Sequence, residues 1–210
     1  MPLELAACTP DQIDPNGFNP HAVLPYGLTT NHVASSLCAF TDFLGYINKT
    51  LNTNGIERLE VFMMPANFSS LVGEFMGANL PKHCSGVVRN LYHNGHPDLI
   101  PRGRFPRDSV QYAHEGIEIK ASRYSSSWQG HNAECSFLMI FTYTVNKKGD
   151  KCPMSFRFDS VFAAQLEEED WSFQGRIGDS RRTPTASIIK SGLQKLKANW
   201  VYRAGQGGSR

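Results

Sequence analysis

The first part of the chain carries apolar residues at helical spacing. Between residues 31 and 52 the apolar positions recur at intervals of 3, 4, 3 and 4, namely Leu37, Phe40, Leu44, Ile47 and Leu51. Such spacing predicts an amphipathic helix, with Thr30 or Asn31 as its cap. The segment NFSSLVGEFMGANLP predicts a second helix, capped by Asn67 and ending before Pro81. Its expected core face is Leu71, Val72, Phe75 and Met76.

Strand patterns replace helical ones from residue 87 onward. SFLMIFTYTV is rich in β-branched and aromatic residues, and SFRFDSVFAAQL alternates, so the two are expected to pair side by side. VVRNLY, PDLIPRG and VQYAHEGIEIKAS predict shorter strands before them. Between the two helices, RLEVFMM is expected to form a short strand or a buried turn that closes at Pro65.

The C-terminal segment TPTASIIKSGLQKLKANWVY predicts one closing helix. It places Ile189, Leu193, Leu196 and Trp200 on a common helical face. Thr183 is the expected cap, and Pro184 suits the first turn because its missing N–H is not needed there.

The order of these elements predicts a single α/β (α+β) domain over residues 1–210, with a central mixed β-sheet flanked by helices. Within it, the sequence predicts four successive parts: an extended arm (1–29), a helical part (30–80), a sheet that carries the chemistry (87–175) and a basic segment with a helix (176–204).

Composition places the chain among globular proteins. Hydrophobic residues make up 40% and charged residues 19% of the sequence, and no apolar run approaches the roughly 18 residues of a membrane span. The start, MPLELAACTPDQID, lacks the basic and apolar regions of a signal peptide. The five cysteines are widely spaced and contain no CxxC pair. We therefore expect reduced thiols, a cytoplasmic protein and no membrane partner.

The formal net charge of +2 conceals an uneven distribution. Residues 176–210 contain eight Lys or Arg and one Asp, a local excess of +7. Such a segment can contact a polyanion, although a basic end is more often only solvated.

The stretch HEGIEIKAS alternates charged and apolar residues. In a strand, Glu118 and Lys120 point to one face, while Ile117 and Ile119 point to the other. The two isoleucines can therefore be buried against helices while the carboxylate and the ammonium group share a cleft. A cross-strand ion pair on a solvated sheet face would give the same pattern.

A second acidic residue makes the motif more specific. Asp98 follows Pro97 at the start of another short apolar strand, twenty residues upstream. If the two strands are neighbours, Asp98 and Glu118 can converge on Mg²⁺, which typically takes one or two protein carboxylates and completes its octahedron with water and substrate phosphate. Lys120 could then orient a water and offset charge on a phosphoryl oxygen.

Pro97-Asp98 followed by Glu118-Ile119-Lys120 resembles the PD-(D/E)xK nuclease superfamily, and in particular type II restriction endonucleases. The resemblance covers about residues 67–145. It implies a restriction-endonuclease-like fold, with Asp98, Glu118 and Lys120 as catalytic residues. Asp98, Glu118, the peptide carbonyl of Ile119 and, from the preceding helix, Glu74 are the implied metal ligands. The implied cofactor is Mg²⁺, which Mn²⁺ can replace.

Two further segments are candidates for contact with double-stranded DNA. The polar stretch RYSSSWQGHNAEC follows the motif and contains Arg123, Gln129 and His131. Arg181, Arg182 and Thr183 precede the predicted C-terminal helix, where charged forks and hydroxyls can bind bases or phosphates. Both segments also have a simpler interpretation. His131 can be an ordinary loop histidine, and residues 181–183 can be a helix-capping segment with exposed arginines.

The sequence thus favours a Mg²⁺-dependent DNA endonuclease, and two alternatives stay open. One is a non-catalytic DNA- or RNA-binding regulator. The other is a histidine-metal (ββα-type) nuclease built on His83, His93 and His96 with Cys84, although their spacing fits no standard zinc ligand set. For the favoured function we expect a homodimer, because cutting both strands of a palindromic site takes two active sites. The helix over 31–52, or the arm before it, is the expected contact.

Overall fold

Helices occupy most of the first 83 residues, and the regular structure described after them is mostly strand, as the apolar pattern predicts. The computed structural model describes residues 2–130, 133–147, 149–174 and 185–205. The helices are α1 (Pro2–Ala7), α2 (Thr30–Thr53), α3 (Leu59–Phe62), α4 (Pro65–His83) and α5 (Lys190–Ala198). The strands are β1 (Val87–Arg89), β2 (Leu99–Pro101), β3 (Ile117–Ser122), β4 (Gln129–Gly130), β5 (Phe137–Thr144), β6 (Arg157–Gln165), β7 (Trp171–Gln174), β8 (Thr185–Ile188) and β9 (Trp200–Arg203).

The predicted α/β class with a central mixed sheet is confirmed. The main sheet has the order β1-β2-β3-β5-β6-β9. Its β3–β5 pair is parallel, and its other pairs are antiparallel. β5 and β6 pair over nearly their whole length, as their alternation predicts. A smaller antiparallel sheet has the order β4-β8-β7.

The two faces of the main sheet are covered by different parts of the chain. α2 packs on α4, and α4 packs on β3 and β1. Along β5, the side chains of Met139, Phe141 and Tyr143 enter the core beneath these helices. Leu138 and Ile140 point the other way, into a second cluster with Leu196 of α5 and with Trp128, Trp171 and Ala186 of the smaller sheet and its approach. Because β5 is buried on both faces, it reads as a continuous apolar run.

The two N-terminal helices differ from their predictions only at the ends. α2 is capped by Thr29, whose hydroxyl accepts the His32 N–H while the His32 ring accepts the Thr29 N–H. α4 begins two residues before Asn67, with Pro65 in its first turn, and it continues through Pro81 to His83. The expected strand or turn at RLEVFMM is wrong, because Leu59–Phe62 is a helical turn whose first N–H donates to Asn48 Oδ1.

The single closing helix predicted at the C-terminus is wrong. Residues 185–188 form β8, only residues 190–198 are helical, and residues 200–203 form β9. Ile189 therefore caps α5, while Trp200 starts a strand. β9 pairs with β6, where Val201 and Tyr202 are fully buried, so the burial of β-branched and aromatic residues in a sheet outweighs helical spacing. Thr183 and Pro184 lie outside the described residues.

The predicted extended arm contains a short helix, α1, and then follows the surface of the sheet. The Asp11 N–H donates to the Phe156 carbonyl, and the Asn19 side chain donates to the Trp200 carbonyl. In the part of the chain that the structure describes, no helix is both long and apolar enough to cross a membrane.

A buried ionic network ties the N-terminal elements to the β5–β6 connection. Arg58 donates to Glu4 at 2.7 Å and to Glu60 at 2.9 Å, and it also donates to the Met154 carbonyl and the Asn146 side chain. The second carboxylate oxygen of Glu60 accepts from Asn48 at 2.9 Å. The Arg58 and Glu60 side chains are 2% and 0% exposed. The pair is thus desolvated but fully hydrogen-bonded.

Replacement of Arg58 should therefore be costly. Arg58→Met leaves Glu60 charged and buried without its cation, and we expect the free energy of unfolding to fall by about 3–5 kcal/mol. Urea denaturation of the variant measures this change. Arg104→Met is the matched control, because Arg104 pairs with Glu115 on the surface, and its unfolding midpoint should stay close to that of the parent protein. Equal losses in both variants would contradict this account of the network.

Candidate active site

The candidate site lies where β2 and β3 separate. The two strands share one residue pair, Leu99 with Ile117, and continuing this antiparallel register by one residue places Asp98 across from Glu118. Beyond that point Asp98 Oδ2 accepts the Ile119 N–H at 2.8 Å. The Asp98 carboxylate thus occupies the position that a main-chain carbonyl of β2 would take in a longer ladder.

Gly116 permits the close approach of the two strands. Its φ is +146°, a conformation that residues with a Cβ rarely adopt. A Cβ at this position would overlap the Leu99 carbonyl oxygen and the Pro97 ring. The glycine before β3 is therefore required where the Pro97-Asp98 segment contacts it.

Side chains of β3 alternate between the two faces of the sheet. Ile117 and Ile119 lie in the core beneath α4, and the Ile119 side chain approaches Gly73 and Gly77 of that helix. Glu118 and Lys120 pair in register with Leu138 and Ile140 of β5, so they lie on the opposite face. Their side chains are 14% and 19% exposed. They are neither freely solvated nor part of the apolar core.

A cleft of about 330 Å³ opens at the edge of β3 where β2 diverges from it, and residues of α4 line one side of it. Asp98, Glu118 and Lys120 all line it, together with Glu74 and Arg89. Apart from Ile119, its remaining lining is small or polar and consists of Ser69, Ser70, Gly73, Gly77, Ala121 and Gln129. The structure therefore brings the three residues of the sequence motif into one concave site.

Hydrogen bonds link the charged groups of the site in a chain. Glu118 Oε2 lies 3.0 Å from His96 Nδ1, and Glu118 Oε1 lies 3.3 Å from Lys120 Nζ. Lys120 Nζ is nearer still to Glu134 Oε1, at 2.9 Å. The Lys120 ammonium group is thus held between two carboxylates, and Glu118 is held between two donors.

The pKa values of Asp98 and Glu118, which lie opposite each other on β2 and β3, are shifted in opposite directions. Burial and the negative charge of Glu118 raise the pKa of Asp98 to about 7, against the pull of the Ile119 N–H. Burial also acts to raise the pKa of Glu118, but the His96 hydrogen bond and the Lys120 charge outweigh it and lower the value. The raised pKa of Asp98 thus reflects first its burial and then the negative charge of Glu118 beside it.

The pKa values of the other three residues in this hydrogen-bonded series, Lys120, His96 and Glu134, are all raised. Burial lowers the pKa of Lys120, but the charges of Glu118 and Glu134 more than compensate, so the net shift is upward. The pKa of His96 is likewise raised by Glu118 in spite of burial. Burial is the largest cause of the raised pKa of Glu134.

Asp98 and Glu118 fit a hard divalent cation. Within residues 2–130, 133–147, 149–174 and 185–205, no three His, Cys, Asp or Glu side chains converge as a metal site. Mg²⁺, however, usually takes only one or two protein carboxylates. The two acids supply that number, and both line the same cleft. The Ile119 carbonyl points to the same side of β3 as its N–H, and hence toward Asp98.

Glu74 lies at the rim of the cleft. It is on α4, its side chain is 64% exposed, and it forms an ion pair with Arg89 of β1. It is close enough to contribute to the raised pKa of Asp98. A role for Glu74 as a metal ligand stays a prediction.

The predicted DNA-binding residues are only partly described. Gln129 lines the cleft from β4. Arg123 follows β3 directly, and its guanidinium lies over the ring of Tyr124, 5.4 Å from the centroid. His131, Arg181, Arg182 and Thr183 lie outside the described residues.

His96 and Glu134 belong to the site although the motif did not single them out. His96 comes just before Pro97-Asp98, so its proximity to the motif was a usable signal. Glu134 lies in the connection between β3 and β5, fourteen residues after Lys120, and nothing in its sequence context marks it. The histidine-metal alternative gains no such support. His96 bonds Glu118, while His83 bonds Asn79 on α4 at 3.0 Å.

No protein-family model, curated protein or solved structure matches this chain. The resemblance to the PD-(D/E)xK superfamily therefore stays a prediction. The geometry of the site is the basis for proposing a function.

The raised pKa of Asp98 has a measurable consequence for stability. Below about pH 4 the carboxyl group is protonated in both states; as pH rises toward 7, the unfolded chain loses this proton while the folded chain keeps it. The contribution of Asp98 to stability is thus fully present at low pH and is lost as pH rises through that window.

We therefore expect Asp98→Asn to gain stability relative to the parent protein as pH rises. The amide oxygen can still accept the Ile119 N–H. The difference should grow by roughly 3 kcal/mol between about pH 4.5 and about pH 8, as measured by urea denaturation in EDTA. Asp42→Asn is the control, because Asp42 is exposed on α2. A pH-independent difference for Asp98→Asn would contradict the shift.

Proposed function

We propose that this chain is a Mg²⁺-dependent DNA endonuclease of the restriction type, which hydrolyses phosphodiester bonds. The observation that carries the proposal is the convergence of Asp98, Glu118 and Lys120 in one cleft. Two acids opposite each other on neighbouring strands and a lysine beside them are the groups that metal-assisted phosphodiester hydrolysis needs.

Each residue has a distinct role under this proposal. Asp98 and Glu118, with the Ile119 carbonyl, would hold Mg²⁺, which when bound supplies Lewis-acid stabilisation of the phosphate and a more acidic water. Lys120 would orient the attacking water and offset negative charge that grows on the phosphoryl oxygens. His96 would hold Glu118 in its ligating orientation, as groups behind metal ligands commonly do.

The lining of the cleft supports a phosphodiester substrate. Arg89 is a cation at its rim, and Ser69 and Ser70 of α4 place hydroxyl groups along it. Such groups bind phosphate oxygens without reading sequence. Arg123 and Gln129 stay candidates for DNA contact, and so do His131, Arg181, Arg182 and Thr183.

The remaining expectations follow from this function. All five cysteines lie within the described residues and none of them forms a disulfide, which supports a reducing, cytoplasmic environment. A homodimer on DNA would supply the second active site that a double-strand cut requires. Light scattering should detect the dimer with specific DNA present, and a monomer both free and on DNA would contradict it.

The decisive experiment is DNA cleavage with and without metal. Purified protein is incubated with plasmid and unmodified phage DNA in Mg²⁺, in Mn²⁺ and in EDTA. We expect cleavage in either metal and none in EDTA. Persistent lack of metal-dependent cleavage, with DNA binding intact, would favour the regulator alternative.

Variants of the site separate the roles of its residues. Asp98→Ala and Glu118→Ala should lower cleavage at least about 100-fold and abolish the rise in melting temperature that Mg²⁺ produces. Lys120→Ala should lower cleavage about as much but keep that rise, because a lysine that acts in the transition state contributes little to metal binding. DNA affinity should change little in all three. Normal cleavage by Lys120→Ala would show that β3 carries only an ion pair.

A further inference from the structure

Glu134 is an acid that the proposed chemistry does not use. It lies in the connection from β3 to β5 and is 8% exposed. One carboxylate oxygen accepts from Lys120 Nζ at 2.9 Å, a shorter distance than the 3.3 Å from Lys120 to Glu118. Its other oxygen, Oε2, is buried and has no hydrogen-bond partner among the residues described. Glu134 therefore makes one strong polar contact, and that contact is to Lys120.

Two hydrogen bonds fix the main chain directly after Glu134. The Cys135 carbonyl lies 2.9 Å from His114 Nδ1, and the Ser136 carbonyl accepts the Leu166 N–H at 3.2 Å. Phe137 then begins β5, in register with Ile117 of β3. The carboxylate is thus presented to Lys120 from a segment anchored to the sheet that carries the motif.

Lys120 needs a tether other than Glu118. A lysine side chain ends a flexible four-carbon stem, so its ammonium group does not hold one position by itself. Glu118 already accepts from His96, and under the proposed function it is also a metal ligand. Glu134 has no hydrogen bond with His96 in the described structure, and it is not a proposed metal ligand. Among the described residues Lys120 is the one hydrogen-bond partner of the Glu134 carboxylate. Burying a carboxylate with so few partners costs stability, which a purely structural role for Glu134 does not explain.

We propose that Glu134 is a positioning residue that holds the Lys120 ammonium group at the edge of the Asp98–Glu118 cleft. The proposal rests on the proposed nuclease function and adds to it a residue that acts through Lys120. What matters is an acceptor oxygen at that place, since the contact orients the ammonium group.

Single-turnover cleavage at saturating DNA and Mg²⁺ tests the role. Glu134→Ala should slow cleavage about 10- to 100-fold, the usual effect of losing a partner of an active-site group. Glu134→Gln, which keeps an acceptor oxygen, should stay within about threefold of the parent, and DNA affinity should change less than about twofold. Glu115→Ala is the matched control, because its ion pair with Arg104 is on the surface.

A double-mutant cycle shows whether Glu134 acts through Lys120. In the Lys120→Ala background, Glu134→Ala should slow cleavage no further. Additive losses, or cleavage at the parental rate by folded Glu134→Ala, would overturn the proposal. If Glu134→Ala fails to fold, Glu134→Leu, which fills the site without an acceptor, takes its place in both comparisons.

A measurement that needs no cleavage separates this proposal from the proposed function. In protein labelled with ¹⁵N-lysine, the Lys120 ammonium signal is identified by its loss in Lys120→Ala. It should shift or broaden in Glu134→Ala but not in Glu115→Ala. If the Lys120 ammonium signal is unchanged in Glu134→Ala, the positioning role is overturned even if the protein cuts DNA. A signal that responds in a protein that never cuts DNA supports the contact and overturns the nuclease.

Discussion

The site depends on the hydrogen bond from the Ile119 N–H to Asp98 Oδ2. It forms where the main-chain ladder between β2 and β3 stops after one residue pair, so a side chain replaces the next strand contact. The bond fixes Asp98 beside Glu118, and Gly116 allows the approach because no Cβ intervenes. Without this bond the position of Asp98 relative to Glu118 would not be fixed. The spacing between Pro97-Asp98 and Glu118-Ile119-Lys120 would then no longer predict that the two acids converge.

The sheet around that bond determines which side chains can reach it. β5 is buried on both faces and pairs in parallel with β3, so the orientation of Glu118 and Lys120 is set by the most buried strand of the fold. Small residues on the facing helix, Gly73 and Gly77, leave space for the cleft. Rigid elements thus supply the geometry, which is how active sites keep reacting groups in place.

The apolar spacing of the sequence correctly predicted the features that depend on one element alone. The helical spacing over 31–52 and the alternation in β3 were sufficient, because each reports which face of one element is buried. The C-terminal segment was not, since residues 185–188 and 200–203 are strands through pairing with other segments, β7 and β6, which their own apolar spacing does not reveal. Glu134 was missed for the same reason. Its partner, Lys120, is known only once the parallel pairing of β3 with β5 is known.

Two buried ionic networks in this chain differ in a way that bears on function. Around Arg58, both oxygens of Glu60 and the guanidinium are hydrogen-bonded, as expected of a group that serves the fold. Around Lys120, His96 Nε2 and Glu134 Oε2 are buried without a partner in the described part of the chain. Leaving buried polar atoms unpaired costs free energy. The fully paired network of Arg58 thus stabilises the fold, whereas the unpaired atoms around Lys120 lie next to residues that line the cleft, which fits the ligand-binding role proposed for that site.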